Sequence, residues 1–163
     1  MNLKFKKKVL IVFGSGGHQR QMTILSGDLI DKYDIVAVFC QEDYISPKLM
    51  NFKHHFVKRP RISDEGHFKY IVNTLTCFFQ SISLILKERP SAVIACGPSV
   101  SVPVMYAGKL LGLKVIFIES WSVLYEKTLT GKLIYPIADQ FFVQWESMKS
   151  VYKRAIYRGR FIV

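Results

Sequence analysis

Apolar residues return along the chain in two alternating rhythms. Val9, Leu10, Ile11, Val12 and Phe13 form an unbroken apolar, largely β-branched run that stops at Gly14. So short a run marks a strand buried on both faces of a parallel sheet. Over 18–32, Met22, Leu25 and Leu29 come back every three or four positions beside polar Arg20, Gln21 and Asp28, which predicts a helix with one buried stripe. Residues 34–40, with Ile35, Val36, Val38 and Phe39, again read as a strand. Strand, glycine turn, helix and strand make a βαβ unit, and its crossover rule sets the two strands parallel.

The stretch 41–66 is polar, basic and marked by Pro47 and Pro60, with one short strand expected near 55–58. In 67–87, Phe68, Ile71, Val72, Leu75, Phe79, Ile82 and Leu86 fall at helical spacing, and no charge stands between Tyr70 and Leu86. That length falls short of the roughly 20 apolar residues of a membrane span, and Asn73, Thr74, Thr76, Gln80, Ser81 and Ser83 dilute it. Lying in a membrane interface and packing on the sheet both stay open. Beyond Pro90, strands are predicted at 92–96 and 115–118, ending at Gly97 and Glu119, with a helix over 101–111 between them. Pro103 is tolerated in that helix's first turn. A strand at 140–143 and a short helix from Trp145 complete the pattern. The fold class is therefore α/β, a Rossmann-like open parallel sheet with helices on both faces, and 1–163 reads as a single domain.

Composition narrows the partners. With 50% hydrophobic and 13% aromatic residues in 163, the chain can build a real core. Its 23 lysines and arginines against 12 acids give a net charge of +11, which draws it toward phosphates, nucleic acid or an anionic membrane. Cys40, Cys77 and Cys96 lie inside apolar runs without metal or disulfide spacing and are expected to be reduced core residues. The basic start runs straight into a short strand, without the apolar region and cleavage site of a secretion signal, which predicts a cytoplasmic location.

In such a sheet ligands bind beyond the carboxyl ends of the strands. The first such end is Gly14-Ser15-Gly16-Gly17-His18, where glycines allow a tight turn that offers amides at a helix start to a phosphate or diphosphate. The dinucleotide fingerprint is not met, because its third glycine would fall on Gln19. His18 stands as a general base, a phosphate donor or a helix-capping residue. Gly97-Pro98-Ser99-Val100-Ser101 is a second glycine turn into a helix, capped by Ser99 or Ser101, and either adds a phosphate contact or only reverses the chain. Glu119, before Ser120 and Trp121, accepts sugar hydroxyls or fixes the following loop.

Basic clusters at Lys4, Lys6, Lys7 and Lys8, at Lys53, Lys58, Arg59 and Arg61, and at Lys149, Lys153, Arg154, Arg158 and Arg160 suit either a solvated face or an anionic membrane. Each basic group near such a membrane is worth about 1 kcal/mol. Lys4, Lys6, Lys7 and Lys8 are the first candidates for that contact. No nucleic-acid-reading motif accompanies these charges, so no nucleic-acid partner is expected.

Five segments in order carry a family resemblance: Gly14-Ser15-Gly16-Gly17-His18, Gly97-Pro98-Ser99-Val100-Ser101-Val102-Pro103, Ile116-Phe117-Ile118-Glu119-Ser120, the stretch 129–139, and Val143-Gln144-Trp145. The chain resembles the membrane-associated subunit of the two-subunit N-acetylglucosaminyltransferase of asparagine-linked glycan assembly, with its bacterial relatives in capsule and exopolysaccharide synthesis. This implies the N-terminal, acceptor-side half of an inverting GT-B glycosyltransferase. A separate catalytic subunit would bind the donor nucleotide sugar, without cofactor or metal, and transfer a hexose to a lipid-diphosphate-linked saccharide at the cytoplasmic face of a membrane. Carried over by position, His18 is the candidate base and Glu119 a second catalytic residue. Gly14, Ser15, Gly16, Gly17, Gly97, Pro98 and Ser99 would hold the acceptor diphosphate. Arg160, Phe161, Ile162 and Val163 would dock on the partner. A membrane adaptor without chemistry, and a stand-alone nucleotide- or NAD-binding enzyme, are the rival readings.

Overall fold

The computed structural model describes residues 6–61 and 66–161. Its elements run β1 (Lys7–Val12), α1 (Gly17–Leu29), β2 (Tyr33–Cys40), a 3-10 turn (Pro47–Leu49), β3 (Lys53–Val57), α2 (His67–Glu88), β4 (Ala92–Cys96), α3 (Ser101–Leu110), β5 (Lys114–Ile118), α4 (Leu129–Ile134), β6 (Gln140–Val143), α5 (Met148–Val151) and β7 (Ile156–Tyr157). The strands make one parallel sheet in the order β3-β2-β1-β4-β5-β6-β7. The expected fold is the observed one. α4 and β7 emerge from segments too short for periodicity to mark, and the last helix starts at Met148 rather than Trp145.

The order explains the layers. From β1 through β2 to β3 the chain travels one way across the sheet, then crosses back and travels the other way from β4 to β7. Right-handed crossovers place connections of opposite travel on opposite faces. One face accordingly carries α2, α3, α4 and α5, whose Cys77, Ile85, Val104, Met105, Ile134, Met148 and Tyr152 pack on Leu10, Val36, Val93, Val115, Phe117 and Phe141. The other carries α1 and the 3-10 turn, with Met22 and Leu49 packed on Val9, Ile11, Phe13, Ile35, Ala37 and Phe39. Among the described residues no helix covers that second face over β5 and β6. There, Val9, Ile94, Ile116, Phe142, Leu25 and Leu29 line a cavity of about 610 Å³, rimmed by Lys7, Lys114, Arg158 and Arg160.

All three cysteines are free and buried. Burial pushes the thiols of Cys40 and Cys77 up to about 12, so neither offers a thiolate near neutrality.

At the amino edge of the sheet, the buried Glu88 at the end of α2 accepts from Lys8 (3.1 Å), Lys53 (2.8 Å) and the His55 ring (2.9 Å). Burial opposes its charge, but the hydrogen bonds from Lys53, His55 and Lys8 outweigh that and hold the carboxyl at about 2. At the other edge, the main-chain N–H of Lys58, one residue past β3, donates to Gln80 Oε1 at 2.7 Å. The stretch of α2 from Cys77 to Glu88 therefore lies at the height of the sheet, and the part before Cys77 stands beyond its carboxyl edge. The buried residues of α2 agree: Cys77, Ser81, Leu84, Ile85 and Glu88.

Candidate functional site

β1 and β4 are neighbours in the sheet, and travel reverses between them. The carboxyl ends of strands flanking such a reversal open a crevice, because the loops leaving them diverge to opposite faces. Both glycine turns lie there, and they interlock. A Cβ on Gly14 would stand 2.5 Å from Pro98 Cγ and 3.1 Å from His18 Cβ. Gly97, at φ +75°, has no space at all: a Cβ would meet His18 Cδ2 at 2.1 Å and Nε2 at 2.2 Å. The imidazole of one loop thus lies on the bare Cα of the other.

Gly16 (φ +60°) occupies the position before α1, and the first intrahelical bond of that helix runs from Arg20 N to Gly16 O at 3.2 Å. The amides of Gly17, His18 and Gln19 precede that bond, and no acidic side chain occupies the first turn. Ser15, Gly16 and Gly17 are exposed, and Gly97, Pro98 and Ser99 half-buried, around this point. Such a helix start suits a phosphate. Partial burial lowers the pKa of His18, partly offset by a hydrogen bond with the Ser15 main chain, which leaves the ring neutral at neutral pH. A neutral imidazole can accept a proton from a hydroxyl. The expected serine cap of α3 is not formed: Val100 holds the capping position without a side-chain hydrogen bond, and the buried Ser101 Oγ has no partner.

Glu119 lies elsewhere. Its side chain is buried, with Oε2 accepting from Tyr152 Oη and Thr128 Oγ1, both at 3.0 Å, and Oε1 from Ser120 N at 3.1 Å. A Cβ on Gly131 would strike Glu119 Oε2 at 2.3 Å, so α4 closes directly over the carboxylate. Burial raises its pKa, opposed by the bonds from Ser120, Thr128 and Tyr152. Contrary to the sequence-based expectation of a second catalytic residue, this carboxylate faces no open space. It ties the cap of α4, through Thr128, and α5, through Tyr152, to the end of β5.

The other expectations divide. Lys6 donates to Ile30 O and Lys8 is bound to Glu88, both at the amino edge with Lys7. The length of β1, about 20 Å, separates them from the crevice. Lys4 lies outside the described residues, as do Ile162 and Val163. Phe161 packs on the second sheet face, its N–H donating to Gln144 Oε1 at 3.1 Å, and the Arg160 guanidinium stacks 4.4 Å over the Trp145 ring. The tail thus folds onto its own sheet and forms one wall of the uncovered cavity. Among the described residues no three His, Cys, Asp or Glu side chains converge as metal ligands would.

Sequence reasoning missed a buried amide hub. Gln21 is one turn into α1 and 2% exposed. Its Oε1 accepts from Trp121 N (3.3 Å), Cys96 Sγ (3.6 Å) and Gln144 Nε2, while its Nε2 donates to Gly17 O at 3.3 Å. Gln144 Nε2 also donates to Glu119 O at 3.0 Å. One side chain therefore joins the start of α1 to the ends of β4, β5 and β6. Trp121, whose main-chain O accepts from Trp145 Nε1 at 2.6 Å, holds its own indole nitrogen 3.6 Å from where a Gly17 Cβ would stand. A glutamine on the predicted polar side of an amphipathic helix gives no warning of this role.

Strand order and crevice define the chain as a Rossmann-like α/β domain. Among solved structures, MurG of Acinetobacter baumannii superposes with a TM-score of 0.73 at 17% identity, over 86% of this chain and 42% of that one. The chain thus spans less than half the length of that structure. The chain belongs to the family described as oligosaccharide biosynthesis protein Alg14 like, whose pattern matches residues 9–161. The UDP-N-acetylglucosamine transferase subunit ALG14 of Candida albicans is 32% identical over 180 residues, covering 97% of this chain and 82% of the relative. That of Mus musculus is 28% identical over 181 residues, covering 95% and 83%.

Proposed function

We propose that this chain is the acceptor-holding subunit of a heteromeric glycosyltransferase, which binds a lipid-diphosphate-linked saccharide at the glycine crevice while a separate catalytic subunit binds the nucleotide sugar. The observation that carries the reading is the interlock of the two glycine turns, which sets the His18 ring beside the first-turn amides of α1. The amides of Gly17 and His18, with Ser15, Gly16, Gly14, Gly97, Pro98 and Ser99 shaping the turns, receive the diphosphate. His18 takes the proton of the attacking acceptor hydroxyl as its oxygen bonds to the anomeric carbon. The bond from that carbon to the nucleotide diphosphate breaks, and the diphosphate leaves with the electron pair. No cofactor takes part.

The names of the relatives favour UDP-N-acetylglucosamine as donor. Other hexoses, as used in capsule and exopolysaccharide assembly, are the competing donors. The word subunit in those names supports a partner, and the uncovered cavity beside Arg160 and Phe161 suits it: an apolar floor with a basic rim fits an amphipathic segment carrying acids. A lipid-linked acceptor implies work at a membrane surface, and the face proposed is the cytoplasmic one.

Co-expression with a candidate partner, followed by transfer from labelled nucleotide sugars to a membrane lipid fraction, tests the reading. Transfer is expected from the complex, lost in His18→Ala with the partner still bound. Full transfer by His18→Ala removes the ring from the chemistry, and full transfer by the partner alone removes the acceptor-holding role.

A further inference from the structure

The half of α2 that stands beyond the carboxyl edge carries an apolar stripe with nothing on it. Phe68 is 79% exposed, Ile71 55% and Leu75 52%, with Val72 between them, and Phe79 at 63% continues the stripe past Cys77. Their spacing of three and four puts them on one side of the helix. The two threonines here turn inward to their own helix: Thr74 Oγ1 donates to Tyr70 O at 2.7 Å and Thr76 Oγ1 to Val72 O at 2.8 Å. Hydroxyls satisfied in this way make no demand on water. α2 starts at the same edge as α3, which it packs against, and α3 begins directly after the Gly97 turn. The stripe therefore rises from the same edge of the sheet as the crevice, whereas Lys6, Lys7 and Lys8 stand at the opposite edge.

We infer that this overhanging half of α2 lies in the surface layer of a lipid bilayer, its stripe in the acyl boundary, and that it, rather than the N-terminal lysines, sets the crevice against the membrane. The inference rests on the reading that the crevice takes a lipid-linked acceptor, whose diphosphate must stay at headgroup level. At 22 residues α2 is long and apolar enough to cross a membrane, but the packing of its second half in the protein opposes that. Ten residues of α2, 67–76, precede the buried Cys77, fewer than the roughly 20 a crossing needs, and the remainder is fixed by Cys77, Ser81, Leu84, Ile85 and Glu88. A helix with one face bare and the end of the other face anchored in protein belongs in the interface plane.

Charge adds to this only through the chain as a whole. The whole chain carries +11. Near the overhang, Lys58 and Arg59 are paired with Glu42 and Asp43, Arg61, His67 and Lys69 add basic groups, and Asp64 and Glu65 lie outside the described residues. Local charge is thus small, so insertion of the apolar stripe dominates and anionic lipid strengthens it through the net charge.

The test is flotation of the complex with its partner subunit on vesicles of phosphatidylcholine, with and without phosphatidylglycerol, none containing acceptor. Binding is expected to both, tighter to the anionic vesicles. It should fall about tenfold or more when Phe68→Gln, Ile71→Gln and Leu75→Gln are combined, and stay within about twofold for Lys6→Gln with Lys7→Gln. A fluorophore at Leu75→Cys should shift to the blue on vesicles while one at Lys153→Cys does not. Unchanged flotation of the triple variant, or no shift at position 75, overturns the inference. So does release of the partner by the triple variant with flotation retained, which would make the stripe a protein interface. Failure here with transfer to a short, water-soluble acceptor intact sinks the membrane face alone. Retained flotation of His18→Ala with transfer unaffected sinks the catalytic reading alone.

Discussion

The His18 ring lies on the Cα of Gly97, with Cδ2 and Nε2 at 2.1 and 2.2 Å from the place a Cβ would take. Two residues nearly eighty positions apart thereby share one volume, and the identity of each is set by the other. Gly97→Ala forces the imidazole out of place and adds strain at φ +75°. Transfer by the complex should fall about a hundredfold while partner binding persists, as measured by turnover and co-purification.

Protonation of His18 gives an independent reading. Because burial lowers its pKa, the base form persists below the ordinary imidazole value, and activity is lost only as pH falls past it. The acid limb of kcat/KM should lie below pH 6.5, and that of kcat should move upward, since a bound diphosphate stabilises the protonated ring. A limb unmoved in His18→Gln would assign it to another group.

Glu119 separates structural from chemical roles. Glu119→Gln keeps an acceptor for Thr128 or Tyr152 and removes a buried charge, so transfer should stay within about threefold of the parent. Glu119→Ala leaves both hydroxyls unpaired above a cavity and should cost about 3 kcal/mol in urea denaturation. A large loss of turnover in Glu119→Gln at unchanged stability would restore it to the chemistry.

Gln21→Leu fills the same space but strips Trp121 N and Gln144 Nε2 of their shared acceptor. About 2 kcal/mol of stability should go, and the KM for acceptor should rise more than kcat falls, because the loop after β5 loses its tie to α1. Steady-state kinetics on the complex decide this.

Acid stability rests on Glu88. A carboxyl held at about 2, against an ordinary 4.5, stabilises the fold fully above 4.5, and that contribution is lost as pH falls toward 2. Glu88→Gln should unfold about 2 kcal/mol sooner at neutral pH and show a flatter stability profile between pH 5 and 2, read by circular dichroism.

The strands and long helices were legible because buried parallel strands write themselves as short apolar runs, and 92–96 and 140–143 coincide with the observed limits. The glycine turns were legible because few other uses exist for Gly-Ser-Gly-Gly after such a run. Contacts across the chain were not. Nothing local tells that Gln21 meets Gln144, or that Glu119 is covered by Gly131, since both depend on how β4, β5 and β6 stack their ends. Lys8 misled for a similar reason: a lysine in a basic run reads as surface charge, yet its partner lies 80 residues away.

The reversal of travel between β1 and β4 has one further outcome. Every helical connection after β3 falls on the same side, so among the described residues the rear of β5 and β6 is met only by the tail around Phe161. An apolar surface left open in this way favours self-association, so the chain made alone should sediment as larger species than the chain made with its partner.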